Sequence, residues 1–224
     1  MKSETQDSLS KLDSELAFWE RRLQQQGRLS NDHFEYFYTT HFGLDKAFYR
    51  GKKILDIGCG PRGSLEWASE AGLRLGIDPL AEAYRRLGTD LHAMVYVSGS
   101  GGNLPFPNDS FDIVCSFNSL DHVDDLGKVI HEIGRVTAQG GVFLLLTDIH
   151  QRPTLLEPSA FEWDIIDRFM PVFGLLDEKH IEYTAFSPEG FGDMYQSLQR
   201  GVPYNVQDPR IRDGILSARF LKQR

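Results

Sequence analysis

The chain has 224 residues, with 24 Lys and Arg against 32 Asp and Glu, which gives a formal net charge of −8. This length suits one domain that buries enough apolar surface to fold without disulfides or metal ions, and the acidic balance disfavours nucleic acid as a partner. The two cysteines, Cys59 and Cys115, form no metal-binding or disulfide pattern. Residues 1–10 contain no apolar signal-peptide core, and no apolar run is long enough to span a bilayer. We therefore expect a cytoplasmic protein with no membrane partner.

The first fifty residues predict helices. Leu12, Leu16, Trp19 and Leu23 recur at spacings of four, three and four residues, which is typical of one face of an amphipathic helix over residues 10–26. Residues 33–49 then carry seven large aromatic rings, which suit the covering of an apolar surface. Either these helices pack on the domain as part of its core, or they form a lid over a substrate.

The centre of the chain alternates short apolar runs with helical patterns. The predicted strands cover residues 53–57, 74–77, 92–97, 111–117 and 141–147, and the predicted helices cover residues 64–71, 81–87 and 126–136. This alternation predicts a parallel sheet covered by helices on both faces. The tail differs, because strand-like residues 175–183 and 214–221 flank a Gly- and Pro-rich excursion, which favours an antiparallel sheet edge with an insertion.

A glycine-rich loop follows the first predicted strand. Gly58, Gly60 and Gly63 spell G-x-G-x-x-G, and Asp78 lies 20 residues beyond Gly58, so the spacing matches a dinucleotide fingerprint. Asp56 stands two residues before Gly58, at the carboxyl end of the strand. A carboxylate there would repel a pyrophosphate packed against the loop and the helix N-terminus. The loop therefore favours a cationic ligand over a dinucleotide.

Four segments carry a resemblance to a known family. The stretch D-I-G-C-G-P-R-G at residues 56–63, followed by Asp78-Pro79, resembles the first motif of class I S-adenosylmethionine-dependent methyltransferases. Residues 103–114 resemble the family's "LPFPDxSFD" segment, residues 116–123 its loop after the fourth strand, and residues 133–146 its "RVLKPGG" turn. The four segments follow in order over about residues 51–148, and the pattern is similar to that of small free-standing type 11 methyltransferases.

The resemblance implies an architecture and a cofactor. The expected fold is α/β, a Rossmann-like doubly wound sheet of seven strands, mostly parallel with an antiparallel edge strand and with helices on both faces. The expected cofactor is S-adenosylmethionine. Within a single domain over residues 1–224, we expect a helical cap or lid at residues 1–50, the cofactor-binding core at 51–150, and a substrate-side and sheet-edge segment at 151–224.

The family's cofactor contacts carry over position by position. The backbone around Gly58 would pass the methionine moiety, Asp56 would support its ammonium group, and Asp78 would accept both ribose hydroxyls. Ser100 stands where members of the family have an acid, so adenine recognition there would use a hydroxyl or backbone amides. Cys59 is expected to be a packing residue in the loop, without a nucleophilic role. The predicted cofactor-binding residues are Asp56, Gly58, Cys59, Gly60, Asp78, Pro79, Leu80, Ser100, Gly101, Phe117 and Asn118.

Methyl transfer from a sulfonium is an in-line displacement, so the protein contributes alignment, and a base only where the acceptor must lose a proton. Candidate bases follow the fourth and fifth strands. His122 is the first choice because an imidazole can take a proton near neutral pH, His150 is the second, and Asp121 lies beside His122. The alternative roles are cofactor-side packing for His122 and an exposed loop position for His150.

The acceptor is constrained only by composition. The aromatic residues that flank the core suggest a small or medium organic acceptor, O- or N-methylated, such as a sugar or a biosynthetic metabolite. These residues are Tyr36, Tyr38, Phe161, Trp163, Phe191 and Tyr195. Two other functions stay open, an NAD(P)-dependent Rossmann oxidoreductase and a non-catalytic cofactor-binding scaffold. Association into a homodimer is also open.

Overall fold

The computed structural model describes residues 4–150, 159–184, 193–205, 207–208 and 213–223, with side chains from residue 11 onward in the first helix. The α-helices are α1 (Glu4–Gln26), α2 (Phe34–Tyr38), α3 (Lys46–Tyr49), α4 (Leu126–Val136) and α5 (Met194–Arg200). The strands are β1 (Lys53–Ile57), β2 (Leu73–Asp78), β3 (Val95–Ser98), β4 (Phe111–Phe117), β5 (Thr137–Ile149), β6 (Phe173–Glu182) and β7 (Gly214–Lys222). Short 3₁₀ helices cover Thr40–Phe42, Ala83–Leu87, Thr89–Leu91, Leu120–His122 and Trp163–Arg168. Among the described helices, none combines the length and apolar character that crossing a membrane requires.

The seven strands form one sheet in the order β3-β2-β1-β4-β5-β7-β6. Strands β1 to β5 pair in parallel, whereas β7 is antiparallel to both β5 and β6. The predicted fold class, a mostly parallel sheet with antiparallel pairing at one edge, is confirmed. The carboxyl ends of β1, β2, β4 and β5 share one edge, which we call the ligand edge, because open α/β sheets bind ligands there. The strand order reverses between β1 and β4, so the crevice is expected beside those two strands.

Both faces of the sheet are covered. Alternating side chains of β1 divide between the faces, with Leu55 in one buried cluster and Ile54 in the other. The Leu55 face packs against α4, whose first turn is capped by the Asp125 carboxylate, which accepts from the Lys128 amide at 3.1 Å. The Ile54 face packs against the aromatic residues of α2 and α3. The aromatic segment at residues 33–49 is therefore part of the core.

Three predicted elements differ from the structure. Residues 64–71, predicted as a helix, form a run of turns. Residues 81–87 were expected to be helical, and the 3₁₀ helix that forms there ends at Gly88, where φ is +98°. The third strand begins at Val95 because the amides of Ala93 and Met94 donate to the Glu66 carboxylate at 3.1 and 2.7 Å instead of to a strand. Helix α5 also forms inside the Gly- and Pro-rich excursion, for which no clear helix was predicted.

Candidate active site

The glycine loop lies at the ligand edge, directly after β1. Gly58 and Gly60 have φ of +72° and +56°, a left-handed region that favours glycine. A Cβ at Gly58 would overlap the Cβ of Ser119 and lie 2.7 Å from its Oγ. The Ser119 hydroxyl donates to the Ile57 carbonyl at 2.8 Å and lies 2.7 Å from Ser116 Oγ. These contacts hold the loop after β4 next to the glycine loop. In the sequence their only trace is the pair Ser116 and Ser119, three residues apart.

Asp78 ends β2 beside this loop and is 4% exposed. Its Oδ2 accepts from the Gly60 amide at 3.1 Å, and its Oδ1 accepts from the Leu80 amide at 2.9 Å. Burial, and then the charge of Glu15 on α1, raise the pKa of Asp78 to about 6. The predicted ribose acid therefore lies at the ligand edge with its carboxylate turned to the glycine loop.

Asp56 lies one residue before the end of β1 and is 2% exposed. Its Oδ2 accepts from the Tyr38 hydroxyl at 2.8 Å and from the Ser64 hydroxyl. Burial raises the pKa of Asp56 to about 7, although both hydrogen bonds favour the charged form. A cation nearby would hold this carboxyl group ionised. Tyr38 was predicted only as a possible acceptor contact and Ser64 only as part of a helix, so neither partner was predicted from the sequence.

Cys59 in the glycine loop and Leu80 after β2 are buried and pack in the interior. Cys59 is buried, and its Sγ fills the space above Gly76 of β2, where a Cβ would lie 2.5 Å away. Burial raises the pKa of the Cys59 thiol well above its usual range, which suits an inert packing residue. Pro79 is exposed, whereas Leu80 is buried against α1.

The other predicted cofactor contacts lie on two loops across the cleft. A Cβ at Gly101 would lie 3.0 Å from Ile57 Cγ2, so the loop after β3 reaches the end of β1. Ser100 is exposed, and its Oγ accepts from the Gly102 amide at 3.3 Å. Asn118 adopts φ of +51°, a conformation that Asn tolerates better than most residues.

Phe117, at the end of β4, is only half-buried, and its ring packs on two rings of the N-terminal segment. The ring centroids of Phe117 and Tyr38 are 4.2 Å apart, and Phe42 stacks on Phe117 at 5.6 Å. The ring thus faces α2 and the 3₁₀ helix after it, so a contact with the cofactor remains a prediction.

The three candidate catalytic residues are unequally placed. His122 ends the 3₁₀ helix after β4, and its side chain is 25% exposed. Its Nε2 lies 3.8 Å from Oδ2 of the fully buried Asp121, and its buried Nδ1 has no hydrogen-bond partner among the described residues. His150 follows β5 and is half-buried. The structure therefore brings Asp121 and His122 together.

Helix α1 lies over the glycine loop and the residues after β2 at the ligand edge. Its apolar face packs on the residues after β2, and a Cβ at Gly60 would lie 3.4 Å from the Trp19 ring. Arg62 stacks over the same ring at 5.3 Å. The heptad-like spacing predicts the helix, but not where it docks. The packed side chains are Leu12, Leu16, Trp19 and Leu23 on α1, against Leu80, Tyr84 and Leu87.

Comparison with known proteins adds independent evidence. The profile of the type 11 "Methyltransferase domain" family matches residues 55–145. The chain is 28% identical over 207 residues to malonyl-[acyl-carrier protein] O-methyltransferase of Erwinia billingiae, covering 83% of this chain and 82% of that protein. It is 32% identical over 149 residues to demethylmenaquinone methyltransferase of Geobacillus stearothermophilus, covering 60% of this chain and 61% of that one. The family model and these relatives support a class I S-adenosylmethionine-dependent methyltransferase. The resemblance drawn from the four segments is confirmed.

A solved structure supports the same fold. The S-adenosylmethionine-dependent methyltransferase of Mesorhizobium loti superimposes with a TM-score of 0.56 and 18% identity, covering 78% of this chain and 92% of that one. At this identity the likeness concerns the fold alone.

The residues at the ligand edge fit the cofactor that the family implies. Gly58 and Gly60 adopt left-handed backbone angles at the end of β1, and Asp56 and Asp78 provide buried carboxylates on either side of this turn. A sulfonium cofactor offers an ammonium group to Asp56 and ribose hydroxyls to Asp78, whereas a dinucleotide would bring a pyrophosphate to the loop beside Asp56. Trp19 also has a buried indole N–H without a hydrogen-bond partner among the described residues, so a donor is available above the loop.

Proposed function

We propose that this protein transfers the methyl group of S-adenosylmethionine to oxygen or nitrogen of a small or medium organic acceptor. The observation that carries the proposal is the pair of buried carboxylates, Asp56 and Asp78, on either side of a glycine loop with no room for a Cβ at Gly58. Residues 51–150 form the cofactor-binding core in this proposal and α1 forms the cap over it, while the aromatic rings of α2 and α3 pack on the sheet.

The proposed cofactor contacts follow the positions of these groups. Asp56 binds the ammonium group, and Asp78 accepts the ribose hydroxyls while the Gly60 and Leu80 amides hold its carboxylate in place. The cofactor, when bound, supplies an electrophilic methyl group on a positively charged sulfur. The contact of Ser119 with Ile57 fixes the loop that follows β4 relative to the glycine loop, and alignment of this kind is the main contribution of an enzyme to such a displacement.

His122 is the proposed base for an acceptor hydroxyl. Its Nδ1 is buried and unpaired among the described residues, so it is available for the acceptor proton. The other ring nitrogen, Nε2, lies 3.8 Å from Asp121 Oδ2. His150 would serve only if the acceptor approached from the end of β5.

The acceptor class is proposed from the aromatic surface at the β6–β7 side of the ligand edge. Trp163 stacks on His180 with ring centroids 4.3 Å apart and lies 4.7 Å from Tyr204. Flat rings of this kind bind sugars and aromatic metabolites. Phe161 is buried in the core, Tyr195 packs against the rings of α2, and Phe191 lies outside the described residues. The two similar methyltransferases named above act on different acceptors by their names, so neither defines the acceptor here.

Calorimetric titration tests the cofactor. We expect S-adenosylhomocysteine to bind and NAD not to bind, and Asp56→Ala to remove most of the affinity. Binding of NAD alone at micromolar concentration would instead support an oxidoreductase. A transfer assay with methyl-labelled cofactor against a panel of hydroxyl and amine metabolites tests the reaction. Binding of S-adenosylhomocysteine without transfer to any member of a broad panel would favour a scaffold.

A further inference from the structure

Two carboxylates from distant parts of the chain, Glu15 and Asp78, lie near one another at the ligand edge, beside the glycine loop. Tyr84, fully buried in the 3₁₀ helix after β2, lies with its hydroxyl 3.4 Å from Glu15 Oε1 on α1. The same hydroxyl is near enough to the Asp78 carboxyl group to favour its charged form. Glu15 is close enough to Asp78 to act on its ionisation. Docking of α1 therefore places the Glu15 carboxylate near the buried Asp78 carboxylate. The two negative charges repel each other, because solvent screens them poorly there.

The remaining contacts of α1 explain why the helix stays there. Its apolar face is buried against Leu80, Tyr84 and Leu87. In the first half of the helix, Lys11 donates to the His122 carbonyl and lies 3.6 Å from Asp124. In its second half, Glu20 forms an ion pair with Arg86 at 3.1 Å. The helix therefore spans the cleft from the loop of the proposed base to the residues after β2.

The groups between these contacts are suited to a ligand. Asp78 accepts one backbone amide on each carboxylate oxygen, and Glu15 accepts the Tyr84 hydroxyl over a long 3.4 Å, so both carboxylates keep lone pairs for further donors. The Trp19 indole N–H is a buried donor with no acceptor among the described residues. Two neighbouring hydroxyl donors would satisfy the carboxylates, and an anionic oxygen above Gly60 would satisfy the indole.

We propose that α1 is part of the cofactor site, with Glu15 accepting from the ribose hydroxyls beside Asp78 and the Trp19 indole N–H donating to the cofactor's carboxylate. The inference rests on the proposed function, since it requires an adenosine cofactor at this edge. Glu15 then also selects against cofactors that carry a phosphate on the ribose, because its charge lies where that phosphate would be.

The test uses the full chain and the variant Glu15→Gln, which keeps a side-chain oxygen but removes the charge. We expect the dissociation constant of S-adenosylhomocysteine to rise about 5- to 10-fold, because a neutral acceptor replaces a charged one. In the free protein the melting temperature should stay the same or rise, because the repulsion with Asp78 is gone. The rise in melting temperature on adding S-adenosylhomocysteine should be smaller than in the wild type.

A matched control and a second variant make the outcomes distinct. Asp13→Asn removes a carboxylate from the exposed face of the same helix and should change neither measurement. Trp19→Phe keeps an aromatic ring over Gly60 and loses the N–H, so it should weaken the binding of S-adenosylhomocysteine. Wild-type affinity in both Glu15→Gln and Trp19→Phe would overturn this inference alone. A lower melting temperature of free Glu15→Gln with unchanged affinity would make Glu15 a structural anchor. Failure of the wild type to bind S-adenosylhomocysteine would overturn the proposed function, and this inference with it.

Discussion

Tyr38→Phe should shift the pH at which the cofactor binds. The Tyr38 hydroxyl donates to Asp56 Oδ2 at 2.8 Å, and a hydrogen bond to a carboxylate stabilises its charged form. Phenylalanine retains the ring that packs on Phe117 and Trp67, so the core should keep its shape. With one donor lost, the pKa of Asp56 should rise above its value of about 7. Since only the ionised carboxyl binds an ammonium group well, affinity near neutral pH should fall.

The magnitude follows from the hydrogen bond. A hydrogen bond to a charged group contributes about 1.5–3 kcal/mol, and one pKa unit corresponds to about 1.4 kcal/mol, so the pKa should rise by roughly 1–2 units. At pH 7 the ionised fraction of Asp56 would drop from about one half to between roughly 1% and 10%. The dissociation constant of S-adenosylhomocysteine should therefore rise about 5- to 50-fold at pH 7. The sign is fixed, because affinity must improve as pH rises through the pKa of Asp56 in both proteins.

The assay is calorimetric titration of S-adenosylhomocysteine at intervals from pH 5.5 to 8.5. Tyr36→Phe is the matched control, because its hydroxyl is on the same helix but donates to the Leu198 carbonyl at 3.2 Å. Its midpoint should coincide with that of the wild type. Loss of the ligand's own amine charge at alkaline pH affects all three proteins equally, so the acidic limb decides the comparison. If Tyr38→Phe binds with the wild-type midpoint, Asp56 does not hold the ammonium group through its charge.

Three further predictions concern the cofactor, the base and the core. Asp78→Asn should weaken S-adenosylhomocysteine by about 1.5–3 kcal/mol, and an unchanged dissociation constant in calorimetry would remove its ribose role. His122→Ala should lower turnover by roughly 10²–10⁴ while leaving S-adenosylhomocysteine affinity unchanged; near-normal turnover with a hydroxyl acceptor would return His122 to packing. Gly76→Ala should reduce the free energy of unfolding by about 1–3 kcal/mol, since its Cβ would lie 2.5 Å from Cys59 Sγ. Adding Cys59→Ala should recover part of that loss in chemical denaturation, and strictly additive losses would contradict the overlap.

The sequence correctly predicts those elements whose pattern of apolar residues matches the side chains that they bury in the structure. Strand β4 and helix α4 form over the predicted residues because an apolar run and a 3.6-residue period each determine their element locally. Residues 64–71 have a helical pattern but serve distant partners. Ser64 donates to Asp56, and the Glu66 carboxylate accepts the amides that precede β3. Tertiary hydrogen bonds therefore override the local preference there.

The candidate site shows the same division. Asp56 and Asp78 are predicted from their positions at strand ends, because parallel strands place their carboxyl ends at a common edge. Their partners are not predicted, because Tyr38 is 18 residues from Asp56 and Glu15 reaches Tyr84 across 69 residues. No periodicity relates segments that far apart. The sequence predicts α1 as a helix. It does not predict where α1 docks, because that depends on which apolar surface the folded sheet leaves uncovered.

The position of β7 has a consequence for the order of assembly. Strand β5 needs β7 as its second neighbour, and β7 is the strand that joins β6 to the sheet, yet β7 begins about 65 residues after β5 ends. At about 5–20 residues per second, a ribosome takes roughly 3–13 s to cover that distance. During this interval the backbone of β5 is an open template, with Phe143 to Leu146 ready to pair with another chain. The parallel strands β1 to β5 can pair early in synthesis, while the antiparallel part of the sheet is completed when β7 enters between β5 and β6.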